Sequence, residues 1–124
     1  MPGWKLGQIE SQFADIIWDN EPIQSGDLVQ LSQEKLSWKK PTTYTVLRKL
    51  CQRGLFQNQA GIVTSVISRR DFRALRGQQL LDEYFEGSLV RLIRAITHRR
   101  QLSSQEITEI KRLLDKASDN TKKR

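Results

Sequence analysis

Apolar residues in this 124-residue chain recur at helical spacing, with one interruption near the middle. Over residues 9–19, Ile9, Phe13, Ile16 and Ile17 form a stripe with Trp18 alongside, which predicts a first amphipathic helix. Asn20, Glu21 and Pro22 break it. A second helix is expected from Ser25, a good N-cap residue, with Asp27 in the first turn and Leu28, Leu31 and Leu36 facing inward. Ser37–Lys40 is a short connector. Pro41 then suits the first turn of a third helix, where its missing N–H is not needed. Thr43, Val46, Leu47 and Leu50 supply that helix's inner face, and Gly54 sits where a helix commonly ends. Next, Leu55–Gln59, the pair Ala60-Gly61 and Ile62–Ile67 read as a β-hairpin, with Gly61 expected at positive φ.

Beyond Arg69 the pattern is helical again. Phe72, Leu75, Leu81, Tyr84 and Phe85 precede Gly87, and Leu89, Leu92, Ile93 and Ile96 follow at helical spacing. Ser103 and Glu106 form a capping box for a last helix that carries Ile107, Ile110, Leu114 and Ala117, and residues 119–124 read as a polar, fraying tail. The fold expected is mainly α with a small β-hairpin: a winged helix-turn-helix over residues 1–70 and a helical region over 71–124. Three helices in some fifty residues, without a strand, cannot close a good core alone. A second copy of the chain is the economical partner. The dimer surface expected comprises Leu81, Tyr84, Phe85, Leu89, Leu92, Ile93, Ile96, Ile107, Ile110 and Leu114, and the aliphatic run from Leu89 to Ile96 suits a dimer core better than an effector pocket.

Charge sharpens the picture. Net charge is +7, unevenly spread. Residues 1–34 carry one base against six acids, a net of −5, whereas residues 35–73 carry nine bases against Asp71, a net of +8. The outer face of the third helix reads Thr42, Tyr44, Thr45, Arg48, Lys49 and Gln52, and no acid interrupts it. Cations and hydroxyls on one helix suit phosphates and base edges, so double-stranded DNA is the partner expected. A winged helix whose basic face meets an acidic protein is the alternative reading. The hairpin tip carries no charge, so the hairpin either covers the core or lies beside the DNA backbone.

Enzyme chemistry finds no support. Cys51 and His98 stand alone as thiol and imidazole, on different expected helices, and the seven glycines form no phosphate-binding loop. Cys51 suits a partly buried helix position and His98 the negative end of its helix. A single cysteine excludes an internal disulfide and leaves no metal-binding cluster, so neither cofactor nor metal is expected. A reducing, cytoplasmic compartment fits. The opening MPGWKLGQIE has no apolar run of signal-peptide length, and no membrane insertion is expected.

In order and spacing, three stretches resemble the BlaI/MecI/CopY family of bacterial winged-helix repressors. They are Leu6-Gly7 through Ile16-Ile17-Trp18, Thr42 through Leu50 with Gly54, and Ser103 through Leu114. The C-terminal stretch separates this resemblance from MarR- and PadR-type winged helices. It implies a homodimer that represses transcription from an inverted-repeat operator, with the third helix in the major groove. It further implies DNA contacts from Thr42, Tyr44, Thr45, Arg48 and Lys49, and the adjoining Lys39 and Lys40 are expected to join them. Thr45 and Arg48 would meet base edges, while Lys40, Thr42 and Lys49 would meet phosphates. Tyr44 would meet a thymine methyl, a base edge or a phosphate. Thr43 departs from the family's usual Val or Ile, and Lys49 from its Arg. The hairpin turn lacks the family's frequent basic residue, and the Cys-x-Cys motifs of copper-responsive members are missing. In β-lactam-responsive members a sensor-linked protease cuts an Asn-Phe bond, and the matching pair here is Gln79-Leu80.

Overall fold

A computed structural model of the chain describes residues 5–122, and side chains through residue 118. Six helices are described: α1 (Gln8–Asn20), α2 (Ser25–Leu36), α3 (Lys40–Gln52), α4 (Arg69–Phe85), α5 (Leu89–Arg99) and α6 (Ser104–Lys122). Three short strands, β1 (Ile23–Gln24), β2 (Phe56–Gln59) and β3 (Ile62–Ser65), form an antiparallel sheet in the order β1-β3-β2. This is a winged helix followed by further helices. The hairpin register pairs Phe56 with Ser65 and Gln59 with Ile62. Its turn holds Ala60 and Gly61 at φ of 53° and 87°, the paired positive φ that matches the twist of hairpin strands.

Two differences concern the start of α2. Ser25 is not its N-cap; Gln24 is, and the Ser25 hydroxyl is used elsewhere. Ahead of it, Ile23 and Gln24 form the extra strand, pairing with Val63 and Ile62. Glu21 fixes this edge: its carboxylate accepts hydrogen bonds from the Ser65 backbone N–H at 2.8 Å and the Ser65 hydroxyl at 2.7 Å.

The chain divides into two compact units, residues 1–80 and 81–124. In the first, Phe13, Ala14, Ile17, Leu28, Leu50, Leu55 and Val63 are wholly out of water. Trp38 packs on Phe13 with ring centroids 5.0 Å apart. Trp18 lies 5.2 Å from Phe56 and 5.4 Å from Phe72 and donates its indole N–H to the Ile67 carbonyl at 3.0 Å. Phe72 of α4 is buried in this core as well.

In the second unit no described side chain is buried. Ser88 caps α5 by accepting from the Arg91 N–H, and Ser103 accepts from the Glu106 N–H at the start of α6. Hydrogen bonds from Arg100 hold the Glu106 carboxyl below its ordinary pKa. Helix α6 runs to Lys122, through most of the expected polar tail; residues 123–124, like residues 1–4, lie outside the described residues.

Candidate nucleic-acid interface

The site is built on α3. Pro41 lies in its first turn, no side chain caps its N-terminus, and no acid occupies the first turn, so the positive end of the helix dipole is left unneutralised. At the other end the helix is closed by paired bonds: the Gly54 N–H donates to the Cys51 carbonyl at 3.0 Å, and the Leu55 N–H to the Leu50 carbonyl at 3.1 Å. Gly54 adopts φ of 85°, which a β-carbon would strain. Leu50 and Leu55, both fully buried, pin that end into the core.

The inner face of α3 is Thr43, Leu47 and Leu50, all buried. Thr43 stands at a core position and its hydroxyl donates to the Lys39 carbonyl at 3.3 Å, which satisfies a group that is costly to bury unpaired. The outer face is Lys40, Thr42, Thr45, Arg48, Lys49 and Gln52, all exposed, with Lys39 just ahead at the N-cap. Among the described residues, no carboxylate lies within ion-pairing distance of Lys39, Lys40, Arg48 or Lys49. The Thr45 hydroxyl donates to the Pro41 carbonyl at 2.9 Å, leaving its oxygen free to accept.

Two other bases of the middle third, Arg53 and Arg69, are committed within the protein. Arg53 lies 3.6 Å from Glu10, and Arg69 reaches Asp15 at 3.1 Å and Asp19 at 2.6 Å while lying over the Trp18 ring. Part of the negative charge of residues 1–34 is therefore spent neutralising these cations. The positive charge left bare is concentrated on α3 and its leading connector.

Tyr44 differs from its neighbours. It is half-buried against the core, and its hydroxyl donates to Ser25 Oγ at 3.1 Å. With Leu47, Arg48 and Cys51 it lines a cleft of about 220 Å³ whose far wall is Asn58 of β2. Burial raises the Cys51 thiol pKa, which suppresses the thiolate. No group of three or more His, Cys, Asp or Glu able to hold a metal occurs among the described residues. No described helix is long and apolar enough to cross a membrane. The sequence reading gave Ser25 only a capping role and Asn58 only a place in the hairpin, and it linked neither to Tyr44. An Asn three residues before Gly61 was a turn signal; the role of Ser25 depends on residues distant in sequence.

In the second unit, α5 and α6 present an apolar cleft of about 400 Å³ lined by Leu89, Val90, Ile93, Arg94, Ile110 and Leu114. Leu89 and Leu114 are about half exposed, and Tyr84 is 62% exposed. Ile96 and Ile107 are exposed as well, while Leu81, Phe85, Leu92 and Ile110 are half-buried. Gln79 and Leu80 lie within α4, and Leu80 is exposed.

Residues 6–116 match the family model described as penicillinase repressor. The chain is 20% identical over 122 residues to the penicillinase repressor of Bacillus licheniformis, covering 95% of each protein. It is 20% identical over 117 residues to the methicillin resistance regulatory protein MecI of Staphylococcus aureus, covering 91% of this chain and 95% of that protein. The protein of the same name from Mammaliicoccus sciuri is 19% identical over the same length.

Proposed function

The chain belongs to the penicillinase repressor family of transcriptional regulators, and we propose that it is a homodimeric, sequence-specific repressor seated on an inverted-repeat operator. The observation that carries the reading is the exposed, acid-free face of α3, whose cations have no carboxylate partner among the described residues. Such a face meets the DNA backbone without first breaking internal ion pairs. Thr45 and Arg48 are assigned to base edges in the major groove, and Lys39, Lys40, Thr42 and Lys49 to phosphates. Lys49 is a point charge and serves one phosphate, since it lacks the planar fork of Arg.

The second copy answers a different need. Isoleucines and leucines of α5 and α6 remain in water in the single chain, and a two-fold partner offering the same surface covers them. Two recognition helices then match the two halves of an inverted repeat. Release by a sensor-linked protease, at the bond between Gln79 and Leu80, requires local unwinding of α4, because a helical backbone already uses the polar groups that a protease engages.

Fluorescence anisotropy on the DNA upstream of the gene, at several salt concentrations and against scrambled competitor, tests the reading. The expected result is preference for the upstream duplex by about a thousandfold or more with a steep salt slope. Equal binding to the scrambled duplex contradicts it. No binding to either duplex moves an acidic protein partner to the front.

A further inference from the structure

Three elements meet at Ser25, the first residue of α2. Its Oγ accepts the Tyr44 hydroxyl of α3 at 3.1 Å, and its backbone N–H donates to the Gly61 carbonyl at the hairpin turn at 2.8 Å. The Gly61 N–H in turn donates to Asn58 Oδ1 at 3.0 Å. Both polar backbone groups of Gly61 are thus engaged, one from α2 and one from the hairpin itself. A β-carbon placed on Gly61 would stand 4.0 Å from Ser25 Oγ, so that hydroxyl lies directly against the turn. The bond from Ser25 extends the β1–β3 pairing, in which Gln24 faces Ile62.

We propose that Ser25 couples the recognition helix to the wing, and that Tyr44 is a positioning residue acting on DNA through the hairpin tip. The inference rests on the DNA-binding function above and deepens it. The Tyr44 hydroxyl, directed inward and bonded, is not presented to a base edge. Its neighbours Thr45 and Arg48 remain on the exposed face, while Tyr44 lines one cleft with Asn58 of the wing. An uncharged tip, with exposed Gln57, Asn58, Gln59 and Ala60, has little electrostatic attraction of its own to hold it on the backbone. Its placement therefore depends on the protein beneath it.

The test uses Tyr44→Phe, which keeps the ring and removes the donor, with Ser25→Ala, the double variant, and Ser25→Thr, which keeps an acceptor. Amide hydrogen exchange on the free protein is read at Ser25 and Gly61, with Phe13 and Leu50 as core references. Operator preference over scrambled DNA is read in parallel. Losing one net hydrogen bond predicts exchange about three- to tenfold faster at Ser25 and Gly61 in Tyr44→Phe, with the references unchanged. Tyr44→Phe and Ser25→Ala each lower operator preference by a similar factor, the double variant falls no further than either, and Ser25→Thr restores it. Multiplying losses in the double variant mean that Tyr44 touches DNA independently, and overturn the proposal. Faster exchange throughout the core, or no change in either readout, also overturns it. Wild-type protein without operator preference sinks the DNA-binding reading itself; wild-type preference that both variants retain sinks only the coupling.

Discussion

Residues 1–80 and residues 81–124 are both rich in amphipathic helix, but they treat their apolar faces differently. The first unit closes a core around Phe13, Ile17, Leu28, Leu50, Leu55 and Phe56, each at most 1% exposed. The second leaves Leu89, Val90, Ile93 and Leu114 in water and buries none of its described side chains. Pattern alone does not separate the two, since each helix has its stripe. Topology does. A sheet and helices enclose the stripes of the first unit, whereas among the described residues no strand accompanies the helices of the second. The difference fits the proposed roles: a self-sufficient fold would present the DNA-reading face, and an incomplete one would recruit a second copy.

The comparison breaks most visibly at Phe13. Phe13→Ala should cost about 3–5 kcal/mol by opening a cavity in the closed core. Thermal denaturation should show that loss at every protein concentration. Ile93→Asp is expected to cost roughly 3 kcal/mol of association free energy, by placing an unpaired carboxylate in the proposed subunit interface. Sedimentation should then show a single copy, with the amide protection of Phe13 and Leu50 intact. A variant that remains dimeric would move the interface away from α5.

Arg48→Ala tests the first unit's surface rather than its core. A loss of about 1–3 kcal/mol in operator affinity, confined to one base position and without a change in Tm, is expected if Arg48 reads a base edge. Uniform weakening on every duplex would make Arg48 a phosphate contact. Lys49→Ala should weaken all duplexes alike and reduce the salt slope by about one. Ala60→Gly is the smallest and opposite in sign. Relief of a non-glycine residue at φ of 53° should stabilise the first unit by about 0.5–1 kcal/mol, read as a raised Tm.

Much of this architecture was legible because periodicity and turn chemistry agreed. Pro41 and Gly54 bracket α3, Ala60-Gly61 makes the hairpin turn, and Ser103 begins the last helix with a side-chain acceptor. Strand β1 was hidden because two residues after a proline establish no alternation. The N-cap of α2 was misread because pairing with Ile62 holds Gln24 extended and leaves Ser25 as the first helical residue. Net charge showed the basic middle third but not its internal use, since Arg53 and Arg69 find their acids on α1 only after folding. The exposed positions of α3 could be chosen from the sequence. Its inward-bonded phenol required the fold.

Sedimentation of the full chain, free and on a duplex carrying the upstream inverted repeat, tests the division of labour most directly. The account predicts a free particle of twice the 14.4 kDa chain mass, and two copies on the intact repeat. A free single chain with α5 and α6 fully protected from exchange, or one copy saturating the intact repeat, would contradict it.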